Sequence, residues 1–443
     1  MNNTNASMPS KPVLFQTVPL VREPQRRRDP FGFAEVATFY ADLLAPDLTN
    51  RQRDARWLTI LCWSLQQVQA TVVAPSGVAG DYDRLRGLEL RWVMEACQLP
   101  DQGKGRQLPG SRTIRRLNLE QYRNLQLEMG QGQWRRYRYV GPYAAYRSLL
   151  RHMALLEVDG WTLSPEGRKL ARVAAGQVPN PKPGNILKGD PDNGWLAYWL
   201  RRWPITSSPP NSSDFLPGYV KALLPAERAL ITPKLFPDGS RRRAVADGLA
   251  ASTARTHAEL CGELQRLLLV RNGWESPDRA RLSKLEQFAY LADAAIDALD
   301  TTYRLTAQNQ NAQPDVAEVA AGMAPELDRL ARACAQWGTG NVWPQVERFA
   351  AALRQKGSPA ARLQRLLRLH EQSAGGLLWL RERDGKVDRV AQYAQPPGGY
   401  YRFRLAALAH LAKGCKVIST LPIALQGDRE RQTDEEPDTE NEN

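Results

Sequence analysis

Trp134-Arg-Arg-Tyr-Arg-Tyr139, continuing through Gly141-Pro-Tyr-Ala-Ala-Tyr-Arg-Ser-Leu-Leu-Arg151 to Trp161-Thr-Leu-Ser-Pro-Glu-Gly167, is the stretch on which the fold turns. It reads as a basic-aromatic lead-in, an amphipathic helix, a very short hairpin and a second helix. Tyr143, Tyr146, Leu149, Leu150, Met153 and Leu156 recur at steps of three or one, which keeps them on one buried helical stripe. Arg147 and Arg151 lie four apart on the opposite face with Ser148 between them, so both point the same way, into solvent or onto phosphate. Pro142 suits a first helical turn, where its missing N–H would have no partner. The spacing ends this helix near Glu157. Asp159-Gly160, flanked by Leu156, Val158, Trp161 and Leu163, then signals a two-residue hairpin. Ser164-Pro165 reads as N-cap and first residue of a helix running from Glu166 to Ala175.

The segment Leu155 to Ala171 resembles the wing and following helix of winged-helix proteins, in which a short strand ending in Leu-Thr or Leu-Ser leads into a Pro/Glu-Gly-Arg helix start. The resemblance covers residues 111–176. It implies that one helix is offered to a DNA groove while the hairpin rests beside it. On that pattern Arg147, Ser148 and Arg151 face the groove or its phosphates, and Arg135, Arg136 and Arg138 grip the adjacent backbone. Arg168 and Lys169 add charge at the start of the next helix. The tip, Asp159-Gly160, departs from the pattern, because minor-groove wings carry Arg or Lys there.

Working outward, the chain divides into seven stretches. Residues 1–29 read as a flexible arm bearing Arg26, Arg27 and Arg28, a charge run that is solvated or grips phosphate. Residues 30–110 read as a helical bundle: a helix from Phe33 to Leu44, a capping box Thr49-Asn-Arg-Gln52 opening a helix with the stripe Ala55, Leu58, Leu61, Cys62, Leu65 and Val68, and a third helix from Leu85 to Cys97. The loop Gly103 to Gly110 lacks the Lys-Ser/Thr and the preceding strand of a phosphate loop, so it reads as a surface loop or a backbone contact. The winged unit, 111–176, follows. Residues 177–216 form a linker rich in Pro, Ser and Asn, with Trp195, Trp199 and Trp203 on one helical stripe that anchors the linker or stacks on unpaired bases.

Residues 217–306 read as helical, with Ser240-Arg-Arg-Arg-Ala244 opening a helix towards Leu269. Three arginines in a first turn oppose the helix dipole, which leaves them simply solvated or points to a role outside the fold. Residues 315–426 hold helices near Glu318 to Cys334, Trp343 to Gln355 and Pro359 to His370, then a hairpin pairing 377–380 with 387–390 around Asp384-Gly385, then a helix from Tyr401 to Ala412. Residues 427–443 form a disordered acidic tail that solubilises the chain or folds back on its basic surface. The fold class is thus mainly α, a multi-domain helical protein with an embedded winged helix and short hairpins near 157–163 and 377–390.

Charge narrows the partner. The net charge is +13, yet residues 428–443 carry eight acids against two arginines, so the first 427 residues hold +19. A basic body implies a polyanion, and double-stranded DNA is favoured over an anionic membrane. The richness in arginine over lysine suits bidentate phosphate contacts, although a GC-rich coding sequence has the same effect. No run approaches 18 apolar residues, so no membrane span is expected. Cys62, Cys97, Cys261, Cys334 and Cys415 are odd in number and widely spaced, which argues for a reducing cytoplasm.

Chemistry is sparse. His152, His257, His370 and His410 sit at no metal-binding spacing, and no nucleophile or metalloprotease motif occurs, so no cofactor, metal or small-molecule substrate is expected. The reading is a non-enzymatic subunit that positions protein partners on DNA, as in a bacterial genome-defence or mobile-element system. The alternatives are a helical scaffold whose winged unit docks a protein, and a metal-dependent nuclease with a scattered site.

Overall fold

The structure, a computed structural model, describes residues 29–70, 77–98, 141–175, 223–270, 276–308, 313–338, 342–373, 378–390 and 401–426. The arm with Arg26 to Arg28, the loop 103–110, the lead-in with Arg135, Arg136 and Arg138, the tryptophan linker and the acidic tail lie outside the described residues. Among the described residues the protein is mainly α, with sixteen helices and one two-stranded sheet.

The first helices are α1 (Ala34–Leu44), α2 (Arg56–Ala70), α3 (Gly77–Gln98), α4 (Pro142–His152) and α5 (Pro165–Ala175). The expected stripe of α2, from Ala55 to Val68, is buried throughout. It packs on α3, α4 and α5, and Trp63 meets Trp92 of α3 edge-on at 5.6 Å. The start of α2 differs from expectation. Thr49 N–H does donate to Gln52 Oε1 at 2.8 Å, but the helix opens four residues later, where Asp54 Oδ1 accepts from Arg56 N–H at 2.9 Å. The other half of the box is not made: Gln52 N–H bonds Thr49 O at 3.2 Å, leaving Thr49 Oγ1 buried without a partner, while the buried Gln52 amide also donates to Ala145 O of α4 at 2.8 Å.

The next helices are α6 (Pro225–Leu235), α7 (Arg241–Ala251), α8 (His257–Leu269), α9 (Ser276–Leu282) and α10 (Leu285–Gln308). The single helix expected from Ser240 to Leu269 is broken at Ser252–Thr256. Thr256 Oγ1 accepts from Glu259 N–H and Glu259 returns the bond to Thr256 N–H, a capping box that starts α8 afresh. The arginine run is also corrected. Arg242 is buried, donating to Leu235 O and Pro46 O and meeting Asp47 at 3.4 Å, while Arg243 pairs with Asp247. Two of the three charges therefore serve the fold.

The chain continues through α11 (Val316–Gly322), α12 (Ala324–Trp337), α13 (Pro344–Arg354), α14 (Pro359–Ser373), β1 (Leu380–Arg383), β2 (Lys386–Arg389), α15 (Leu405–Gly414) and α16 (Ile423–Gln426). The hairpin strands sit closer to the turn than expected. Leu380 opposes Arg389 and Arg383 opposes Lys386, joined by Asp384 and Gly385 at φ 53° and 76°. Two successive left-handed residues make the turn whose twist matches antiparallel strands. Residues at the start of α11 extend the ladder, with Val316 N–H donating to Gly385 O and Val387 N–H to Pro314 O.

Helix α1 lies among these later elements. Asp29 starts it, accepting from Phe33 and Ala34 N–H groups and from the Tyr401 hydroxyl. Phe33 then meets Phe349 at 5.0 Å and Phe288 at 5.6 Å, and Tyr40 meets Phe403 at 5.5 Å, all edge-on. Edge-to-face rings of this kind add specificity to the area they bury. His370 closes the same end, held between Pro30 O and Trp379 N–H at 3.0 Å each.

Candidate nucleic-acid interface

Helix α4 begins as the sequence suggests, with Pro142 in its first turn and Gly141 as N-cap. Tyr143, Tyr146, Leu149, Leu150, Met153 and Leu156 are all buried. The opposite side leaves Ala144, Arg147, Ser148, Arg151 and His152 exposed. The helix stops at His152, earlier than expected, because Ala154 turns left-handed at φ 51° and reverses the chain. That reversal is capped at once: Ser164 Oγ donates to Ala154 O at 2.7 Å and accepts from Gly167 N–H at 3.0 Å, starting α5.

The hairpin between them is smaller than a strand pair. Leu156 and Leu163 form one antiparallel bridge, Glu157 N–H donates to Thr162 O, and Val158 to Trp161 make the tip. The two-residue turn expected at Asp159-Gly160 is replaced by one closed by a side chain. Asp159 Oδ1 accepts from Trp161 and Thr162 N–H groups, and Oδ2 from the Thr162 hydroxyl. These bonds hold its carboxyl below the ordinary carboxylate range.

The Gly160–Trp161 side of the tip is docked on α4, while Val158 and Asp159 stay exposed. Tyr143 O–H donates to Gly160 O at 2.7 Å, and Trp161 lies edge-on to the Tyr143 ring at 5.4 Å. Burial pushes the Tyr143 hydroxyl far above its ordinary range, so it stays a donor. Glu89 of α3 accepts from Tyr143 N–H at the start of α4, and burial pushes its carboxyl up to about 8. Tyr146 O–H donates to Asp54 O and accepts from Asp54 N–H, both at 2.9 Å. At the far end of α4, His152 Nδ1 lies 3.0 Å from Asp47 Oδ2, which also meets Arg242. Helix α4 is thus fixed at both ends and in the middle.

Of the residues assigned from sequence, Arg147 and Arg151 come together on exposed α4, with Arg147 6.0 Å above the Tyr143 ring. Ser148 is exposed, and its hydroxyl lies 3.4 Å from Gln52 Nε2. Arg168 and Lys169 are exposed on α5, with one Arg168 guanidinium N–H donating to Leu163 O at 2.6 Å. Arg135, Arg136 and Arg138 lie outside the described residues. Sequence reasoning missed Gly160 as a neighbour of both α4 arginines. Its only sequence signal was the Asp-Gly turn, which does not say which helix face the turn will cover.

Chemical groupings elsewhere are buried. Cys261 Sγ lies 3.6 Å from His257 Nε2, and His257 Nδ1 lies 3.3 Å from Asp293 Oδ2. Burial pushes the Cys261 thiol well up, and Phe403 covers the imidazole at 5.2 Å, so the sulfur is neither ionised nor open to a substrate. Burial also opposes the charge on Asp293, but His257 and Arg402 together hold its carboxyl below the ordinary range. Among the described residues no three metal-ligating side chains converge, and no helix is long and apolar enough to cross a membrane. Comparison of the chain with protein-family models, curated proteins and solved structures found no match.

Proposed function

We propose that this protein binds double-stranded DNA through the exposed face of α4, in the manner of a winged helix, and serves as a cytoplasmic subunit that positions protein partners on DNA. The observation that carries the reading is the state of Arg147 and Arg151. Both are exposed, one turn apart, and among the described residues neither makes an ion pair or hydrogen bond. Unpaired guanidiniums on a rigid helix are preorganised for phosphate or base edges. Ala144 and Ser148 alternate with them and are small, so a nucleic-acid surface can approach the helix closely. The net charge of +19 over residues 1–427 supplies the long-range attraction.

A second reading has one observation in its favour. Val158 at the tip is 93% exposed beside an ionised Asp159, a pairing better suited to a protein surface than to a DNA groove. Fluorescence anisotropy with labelled double- and single-stranded DNA over a salt series separates the two. DNA binding predicts an affinity that falls steeply with salt and drops several-fold in Arg147→Ala/Arg151→Ala. No binding at low salt, or binding indifferent to the double substitution, refutes the α4 interface. Repeating the assay with magnesium and checking probe length detects nuclease activity.

A further inference from the structure

We infer that Arg147 and Arg151, side by side over Gly160, form one anion site that takes a single phosphate group, an inference that rests on the nucleic-acid reading above. A Cβ placed on Gly160 would lie 3.3 Å from Arg147 Nη2, 3.4 Å from Arg151 Nε and 3.2 Å from Arg151 Cδ. Two guanidiniums from successive turns of α4 therefore border the same small space. Like charges so placed repel, and a folded protein ordinarily relieves them with a carboxylate. Here that relief is missing: among the described residues neither arginine is ion-paired. Asp159 is the acid nearest in sequence to Gly160, but its oxygens are occupied by Trp161 and Thr162 within the turn.

Packing is what holds the convergence. The Tyr143 hydroxyl bonds Gly160 O, Gly160 N–H donates to Glu157 O at 2.8 Å, and the Trp161 ring seals the other side of Tyr143. Gly160 sits at φ 69°, where an L side chain is strained, and the absent Cβ is what lets both arginine side chains lie close against the turn. Two guanidiniums facing one point offer several N–H donors to a tetrahedral oxyanion, the geometry in which arginine exceeds lysine. The phosphate can be a backbone group of nucleic acid or a free ion, and the two sources share this chemistry.

The shared site has a countable consequence. Each phosphate neutralised contributes about 0.9 to the slope of log K against log salt on duplex DNA. If Arg147 and Arg151 hold one phosphate between them, Arg147→Ala/Arg151→Ala lowers the slope by about 0.9, whereas separate phosphates lower it by about 1.8. The single substitutions should also be non-additive, each weakening binding by nearly as much as the pair. The companion measurement is the melting temperature in inorganic phosphate against chloride at equal ionic strength. Wild type should gain more in melting temperature from phosphate than the double variant, which keeps only the general stabilisation that an excluded kosmotropic anion gives any fold. Equal melting of the two proteins in chloride confirms that the substitutions leave the fold intact.

If DNA binds, a slope loss near 1.8 with additive singles overturns the shared site while leaving the DNA reading standing. If wild type binds no DNA, the nucleic-acid reading fails. The site is then judged by the phosphate arm, where equal behaviour of wild type and double variant refutes it.

Discussion

His370 offers the clearest test of how the first and last described parts of the chain are joined. Its ring is buried, with Nδ1 3.0 Å from Pro30 O and Nε2 3.0 Å from Trp379 N–H. A carbonyl demands a proton on Nδ1 and an N–H demands a lone pair on Nε2, so the folded protein selects one neutral tautomer. Protonation would set one N–H against another. Burial pushes the imidazole from its ordinary value of 6.5 down to about 4, against the smaller pull of the Pro30 carbonyl in the other direction. The sign follows from proton counting. Below pH 6.5 the unfolded chain takes up a proton that the folded protein refuses until about pH 4, so stability present above pH 6.5 is lost as pH falls through that window. A displacement of about 2.5 pH units, at about 1.36 kcal/mol per unit, amounts to about 3 kcal/mol. His370→Gln keeps one donor and one acceptor but does not titrate. Native-state hydrogen exchange of peptides covering 359–373 and 378–390 reads the local opening free energy at neutral pH and at about pH 4. Wild type should lose about 3 kcal/mol more protection than the variant over that interval. An identical pH dependence in the two proteins would refute the neutral-tautomer clamp.

Three other substitutions probe the α4 unit. At Gly167 a Cβ would sit 2.1 Å from Leu155 O, so Gly167→Ala should cost about 3 kcal/mol and lower the melting temperature; unchanged melting would mean that α5 does not seat against the turn as described. Tyr146→Phe leaves the half-buried N–H and C=O of Asp54 without their partner and should destabilise by about 2 kcal/mol in chemical denaturation, a loss below about 0.5 kcal/mol counting against the contact. Glu89 has a raised carboxyl, so its contribution is intact at low pH and lost as pH rises through about 8. Glu89→Gln should therefore match wild type near pH 5 and melt higher above pH 8, and equal melting at both would sink this account.

Much of this unit was legible because its residues obey local rules independently of the remainder of the chain. The stripe Tyr143 to Leu156 and the start of α5 at Ser164-Pro165 required only helical period and cap chemistry. Caps fail as signals where only one half of the reciprocal pair closes. Thr49-Asn-Arg-Gln52 and Thr256-His-Ala-Glu259 carry the same pattern. The second starts α8 because both halves of the box close, Thr256 Oγ1 accepting from Glu259 N–H and Glu259 Oε2 from Thr256 N–H. The first does not start α2, because only one half closes: Gln52 N–H bonds Thr49 O and Thr49 Oγ1 is left without a partner. The docking of the turn on α4 was invisible for a related reason: it depends on the Tyr143 hydroxyl reaching a carbonyl seventeen residues away, and helical periodicity reports only that Tyr143 is buried.

Charge counting has a similar limit, and it bears on the size of any electrostatic effect. Arg56, Arg84, Arg86, Arg91 and Arg242 are buried. Arg56 is committed to Glu227 at 2.9 Å in the interior, and Arg242 to two carbonyls and Asp47. Arg365 spends its guanidinium on the carbonyls of Ala352, Gln355 and Lys356. Arg242 and Arg365 serve as multivalent donors to backbone oxygens, a use for which five fixed N–H groups suit them. The net charge computed from composition therefore overstates what a polyanion meets at close range, even though the distant field still sums every charge. Steering towards DNA should accordingly exceed what the count of direct phosphate contacts suggests. Association rates should respond to salt more strongly than the loss of Arg147 and Arg151 alone would explain, and stopped-flow measurement of the double variant reads that residual dependence directly. A variant whose association no longer responds to salt would show that the α4 arginines, and not the basic body, supply the attraction.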